Sequence, residues 1–200
     1  LVDTPKGFKG DIERIRSRVS LDPDDAYTSF GSVSVATQEE LTAAGDAYPD
    51  WVKERYLQLP DKLPDVIQQE AIRAVGNAAT PYDQAIALQT FLREYPYDLA
   101  VAASPPGDDS VGFFLDDLKR GYFDYHASAM AVMLRTLGIP ARVAVGYALH
   151  PTDAVEPTYT VKKDDAYSWV EVFFPKYGWV TFNPTPDRGG GGAGGIGTTN

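Results

Sequence analysis

Over residues 124–137 the chain reads DYHASAMAVMLRTL, with Ala127, Ala129, Met130, Ala131, Val132, Met133, Leu134 and Leu137 distributed around every side of a helical wheel. A helix that is apolar all round has no face for water, so it must lie inside the fold with other elements packed on several sides. Its alanines allow neighbouring backbones to approach closely. Gly138 suits a left-handed C-terminal cap and Pro140 cannot continue the helix, so "LGIP" ends it. The following "ARVAVGYAL" is rich in Val and reads as a strand.

Helices precede this segment and strands follow it. Thr37-Gln38-Glu39-Glu40 is a capping-box pattern that opens a short helix. "PDWVKERYLQLP" suggests a second helix with Trp51, Val52 and Tyr56 buried. "LPDVIQQEAIRAVGNA" puts Val66, Ile67, Ile72 and Val75 near one face, with Gly76 as its stop. In "TPYDQAIALQTFLREY", Thr80 is an N-cap and Pro81 sits in the first turn, where a missing amide costs nothing. Asp109 or Ser110 can cap a helix through "VGFFLDDLKR" that Gly121 ends, and Asp124 reads as the N-cap of the buried helix. Afterwards "TYTVK", "AYSWVEVFF" and "GWVTFN" predict an antiparallel meander. Helices followed by strands define an α+β domain with helices packed on an antiparallel sheet.

The ends are less regular. Ile12, Ile15 and Val19 fit one helical face, while Ile15, Val19 and Leu21 fit a strand; the β-branched residues tilt the balance to the strand. Residues 28–37 alternate and read as extended. Residues 1–40 are therefore taken as an N-terminal extension, 41–186 as the main domain, and the glycine-rich 187–200 as a flexible linker.

Composition narrows the function. Of 200 residues, 28 are acidic and 18 basic, for a net charge of −10. That balance argues against a nucleic-acid partner, for which a basic patch supplies the attraction. No apolar run approaches the ~20 residues that cross a bilayer. With no cysteine and only His126 and His150, thiol chemistry and disulfides are excluded. No metal site and no cofactor are expected.

"GYFDYHASAMAVMLRTLGIPARVAVGY" followed by "DAYSWVEVFFPKYGWVTFNPTP" resembles the transglutaminase-like domain of the papain-like cysteine hydrolases. "AYPDWVKERYLQLP" and "TPYDQAIALQTFL" resemble a bacterial branch in which this domain is the extracytoplasmic part of a membrane-anchored protein. The resemblance covers about residues 41–186. It implies a papain-like fold with a central buried helix on an antiparallel sheet. It also implies a Cys at the start of that helix, a His on an "HAWVEV" strand and an Asp in "FDPTP". Here those positions hold Phe123, Tyr167 and Asn183. Phenylalanine has no nucleophilic atom, and a phenol with a pKa of about 10 is a poor base. Asparagine cannot stabilise an imidazolium that never forms.

The expectation is a catalytically inactive domain that binds or supports, with Asp124, His126, Tyr167 and Trp169 as cleft residues. The family's cleft implies a peptide or cell-envelope protein as ligand. The rival reading is an amide hydrolase or acyltransferase with a relocated nucleophile, drawn from Ser128, Tyr167, Asp124 and His126. For His126 a structural role competes with a cleft role. Glu171 is expected to pair with Arg142 or Arg135, and Trp169 and Trp179 to anchor the sheet.

Overall fold

A computed structural model describes residues 20, 22, 24–26, 28, 33–148, 154–155 and 158–186. The chain divides into two units, Leu1–Ser32 and Val33–Asn200. In the first, the described residues include a turn in which the amide of Asp25 donates to the carbonyl of Asp22, and the Asp22 amide to the Asp25 carboxylate. The candidate strand around Ile15 and Val19 and the tail 187–200 lie outside the described residues.

The second unit carries the fold. Helices α1 (Gln38–Thr42), α2 (Asp50–Tyr56), α3 (Asp65–Val75), α4 (Pro81–Arg93) and α5 (Ser110–Phe113) lead into α6 (Phe123–Thr136). Strands β1 (Ala141–Tyr147), β4 (Ala166–Phe174) and β5 (Gly178–Phe182) form one antiparallel sheet in the order β1-β4-β5. Strands β2 (Ala154–Val155) and β3 (Thr158–Tyr159) pair only with each other. The domain is thus α+β, with helices on an antiparallel sheet. The meander expected from "TYTVK" is not continuous: Thr158 and Tyr159 belong to the separate hairpin, and Val161 is half exposed. The strand signal was local, whereas the place beside β4 is taken by β1.

Local chemistry explains most boundaries. Thr37 and Glu40 close the capping box on each other's amides. Thr80 accepts from the Asp83 amide, with Pro81 at the first position of α4. Asp109 accepts from the amides of Val111 and Gly112. The helix it opens widens into a π-type turn over Phe114–Leu118 and stops at Lys119 (φ 50°), two residues before the expected Gly121. Residues 33–36 form no strand, and Val33 and Val35 are exposed.

Helix α6 is the centre of the core. Ala127, Ala129, Met130, Met133 and Leu134 are fully buried against α3, α4, β1 and β4, beside Ile67, Leu88, Leu92, Val170, Val172 and Phe174. The opposite face of the sheet holds a second cluster of Tyr48, Val52, Tyr56, Phe173 and Trp179. Two residues expected inside are not buried: Ile72 is 56% exposed, and Trp51 is 37% exposed while its ring packs edge-on against Phe173. Their helices have room for one buried stripe each, and Ile67, Ala71 and Val75 fill that of α3.

Gly138 ends α6 at φ 77°, while the Ile139 amide donates back to the Leu134 carbonyl. A Cβ there would meet no atom within 4 Å. Gly138→Ala therefore carries only the backbone penalty, and we expect a loss of about 1 kcal/mol, read as a lower urea midpoint with unchanged slope.

Candidate active site and its relatives

The entry to α6 is pinned before the helix begins. The Gly121 amide donates to the Pro96 carbonyl and its carbonyl accepts from Asp98, forming a parallel bridge opposite Tyr97. A Cβ on Gly121 would lie 3.0 Å from the Tyr125 side chain, so glycine allows this close approach. Tyr122 is the N-cap residue, with no side-chain cap, and Phe123 is the first helical residue. The reading of Asp124 as N-cap is corrected by this geometry. Asp124 sits one position inside the first turn, and its Oδ1 accepts from Ser168 Oγ of β4 at 2.8 Å.

Three distant segments meet at this end of α6. The rings of Phe123 and Tyr167 pack at 5.2 Å between centroids. Tyr167, on β4, donates its hydroxyl to Asn183 Oδ1 at 2.9 Å. Asn183 follows β5 and is held from several directions. Its amide donates to Gln89 Oε1 at 2.9 Å, its carbonyl accepts from Arg93 Nε at 2.8 Å, and its Oδ1 also accepts from the Thr185 amide. Both Gln89 and Arg93 belong to α4, so the helix layer fixes the segment after the sheet. Sequence reasoning missed Gln89; a polar residue on the buried face of α4 was its only signal.

Trp169 lies two residues along β4 on the same face as Tyr167, over the backbone of Gly146, where an added Cβ would come within 2.8 Å of the indole. Glu171 pairs with Arg142, its register partner on β1, at 2.7 Å, and the Arg142 guanidinium lies 4.2 Å from the Trp179 ring centre. Arg135, the other candidate, instead donates to the carbonyls of Ala141 and Gln58.

His126 does not line the cleft. It is completely buried, its ring edge-on to Phe114, with Nδ1 and Nε2 each 3.1 Å from the carbonyls of Tyr122 and Tyr95. Burial holds its pKa below the ordinary 6.5, against the opposing pull of the two carbonyls. Its position on α6, three residues from Phe123, did not reveal that the intervening turn rotates it towards α4. His150 lies outside the described residues.

Asp124 and Ser128, by contrast, share a cavity of about 170 Å³ between α5 and α6, lined also by Ser110, Val111, Tyr122 and Tyr125. Burial, then Tyr125 and Asp124, push the Tyr122 hydroxyl above its usual pKa. Among the described residues no group of three His, Asp or Glu side chains converges as a metal site.

A buried helix whose N-terminus faces a β4 side chain and a residue after β5 is the geometry of one class of proteins. Residues 68–184 match the model of the transglutaminase-like superfamily, and the chain belongs to that family. It is 39% identical over 139 residues to the uncharacterized protein YebA of Bacillus subtilis, covering 66% of this chain and 19% of that protein. It is 38% identical over 98 residues to a protein-glutamine gamma-glutamyltransferase of Pseudomonas aeruginosa, covering 49% of this chain and 14% of the enzyme. The fold also matches the crystal structure of the periplasmic domain of TgpA from Pseudomonas aeruginosa. There the TM-score is 0.59 and the identity 30%, over 70% of this chain and 48% of that one. The chain thus spans less than a fifth of the curated relatives it matches. Among the described residues, no helix is long and apolar enough to cross a membrane.

Proposed function

We propose that this chain is a transglutaminase-like domain that has lost its catalytic triad and serves outside the cytoplasm as a binding or structural module. The observation that carries the reading is the contiguous set Phe123, Tyr167 and Asn183 at the N-terminus of α6. In this reading they stand at the nucleophile, base and orienting positions. The arrangement keeps a base-to-orienter hydrogen bond, in the form of a phenol on an amide, yet it has neither the thiol nor the imidazole with which a Cys-His-Asp triad attacks a carbonyl. The Phe123 and Tyr167 rings fill the space with apolar area, which favours packing over acid–base work.

A place outside the cytoplasm, as part of a larger membrane protein, is supported by the likeness to a periplasmic domain. The ligand class that fits the family's cleft is a peptide or cell-envelope polypeptide. A relocated nucleophile finds little support. Ser128 and Asp124 share a cavity, but the ring of His126 is buried and engaged by backbone carbonyls, beyond hydrogen-bond reach of a substrate.

The test is hydrolysis and transamidation of glutamine-containing peptides by the wild-type chain. The expected result is no turnover above buffer. Turnover that disappears in Ser128→Ala or Asp124→Asn would overturn the proposal.

A further inference from the structure

We propose that the cavity between α5 and α6 is a sugar site that accepts a single pyranose ring. Its lining residues carry between them one carboxylate, four hydroxyls, two aromatic rings and one valine side chain, and they include no lysine or arginine. Each polar group is accounted for. Asp124 Oδ1 accepts from Ser168, which leaves Oδ2 without a partner among the described residues. Ser110 shares one hydrogen bond with Ser104. The hydroxyls of Tyr122, Tyr125 and Ser128 have no partner among the described residues.

This inventory selects a ligand by donor and acceptor matching. A carboxylate oxygen only accepts, whereas the four hydroxyls both donate and accept. A phosphate or carboxylate ligand would face Asp124 with no cation to offset it, in a chain of net charge −10. An ammonium would satisfy Asp124 but leave the hydroxyls with nothing to donate to. A polyol satisfies both, because each of its hydroxyls gives one hydrogen bond and takes others. The C–H face of a pyranose also meets the rings of Tyr122 and Tyr125, which stand edge to face at 5.1 Å. A volume of about 170 Å³ holds about five or six waters, room for one such ring.

The site is anchored for this role. The hydrogen bond from Ser168 ties Asp124 to β4, and the tight packing of Gly121 on Tyr125 sets the phenol's position. The inference rests on the binding-module reading only for its biological role. Turnover of amides would overturn that reading without moving a sugar titration, and absence of sugar binding would overturn this one alone.

The experiment is an NMR titration of the chain with methyl β-glucoside, N-acetylglucosamine and, as a separate arm, n-butylammonium. We expect saturable shifts from at least one sugar at Tyr122, Tyr125 and Ser128, with millimolar affinity, little changed between low and high salt. Asp124→Asn should weaken binding about tenfold by removing the charge-assisted hydrogen bonds. Ser128→Ala, which removes the hydroxyl and adds no bulk, should also weaken it while spectral dispersion stays native. Several outcomes would overturn the assignment: no saturable shift with either sugar, shifts confined to other surfaces, affinities unmoved in both variants, or salt-sensitive binding of butylammonium alone.

Discussion

Phe123→Cys/Tyr167→His/Asn183→Asp is expected to turn the chain into a thiol-dependent amidase, whereas Phe123→Cys alone yields a reactive thiol without turnover. The argument begins with the helix. Residue 123 is the first residue of α6, a 14-residue helix, and a thiol there lies at the positive end of the helix dipole. Its pKa should fall below the ordinary ~8.5 even without a base. The base would come from β4, because the side chain at 167 already packs on that at 123. The orienter would come from residue 183, whose Oδ1 accepts the hydrogen bond from 167 and whose backbone is tied to Gln89 and Arg93. Those ties do not depend on the side chain at 183, so aspartate inherits the placement. An imidazole is shorter than a phenol, which leaves space beside residue 123 for a substrate carbonyl. General-base activation contributes about 10²–10⁴-fold, so amide hydrolysis by the triple variant should exceed the single variant by about 10² or more. Iodoacetamide rate against pH gives the thiol pKa, and peptide hydrolysis gives the turnover. A folded triple variant with an ordinary thiol pKa and no hydrolysis would sink the lost-triad reading.

The elements of this site were legible in the sequence to different depths. Caps were legible because their chemistry is local: Thr37 with Glu40, Thr80 with Pro81, and Gly138 act within a few residues. The burial of α6 was legible because no face of it was polar enough to meet water. Direction was less so. Asp124 carries the right side chain for an N-cap, but the cap position belongs to Tyr122, and Ser168, 44 residues away, takes its oxygen instead. His126 shares a helix with Phe123, yet only the packing of α4 and Phe114 decides which way its ring points. "TYTVK" has the composition of a strand, and composition says nothing of which edge is vacant. Periodicity counts how many residues a helix buries, not which neighbour covers them; Ile72 and Trp51 lost that competition.

His126 links this packing to pH. Tyr122 O already accepts from the amides of Tyr125 and His126, while among the described residues Tyr95 O has the imidazole as its donor. The neutral ring is therefore assigned its proton on Nε2, donating to Tyr95 O. His126→Leu removes that donor from the partly buried Tyr95 carbonyl, at a cost of about 1–3 kcal/mol near pH 7.5. The sign of the pH dependence follows from the lowered pKa. Below pH 6.5 the unfolded chain binds a proton that the buried ring resists. Stability is thus fully present above 6.5, falls as pH drops towards the folded pKa, and levels off beneath it. The slope in that window is at most about 1.4 kcal/mol per pH unit. The leucine variant cannot titrate there, and His150 is common to both chains and cancels in their difference. Urea unfolding of both proteins at pH 7.5 and 5.5 should therefore show the gap between them narrowing in acid. A wild type that is flat across this range, or a leucine variant that keeps the same slope, would mean that His126 is not the group that couples the start of α6 to the end of α4.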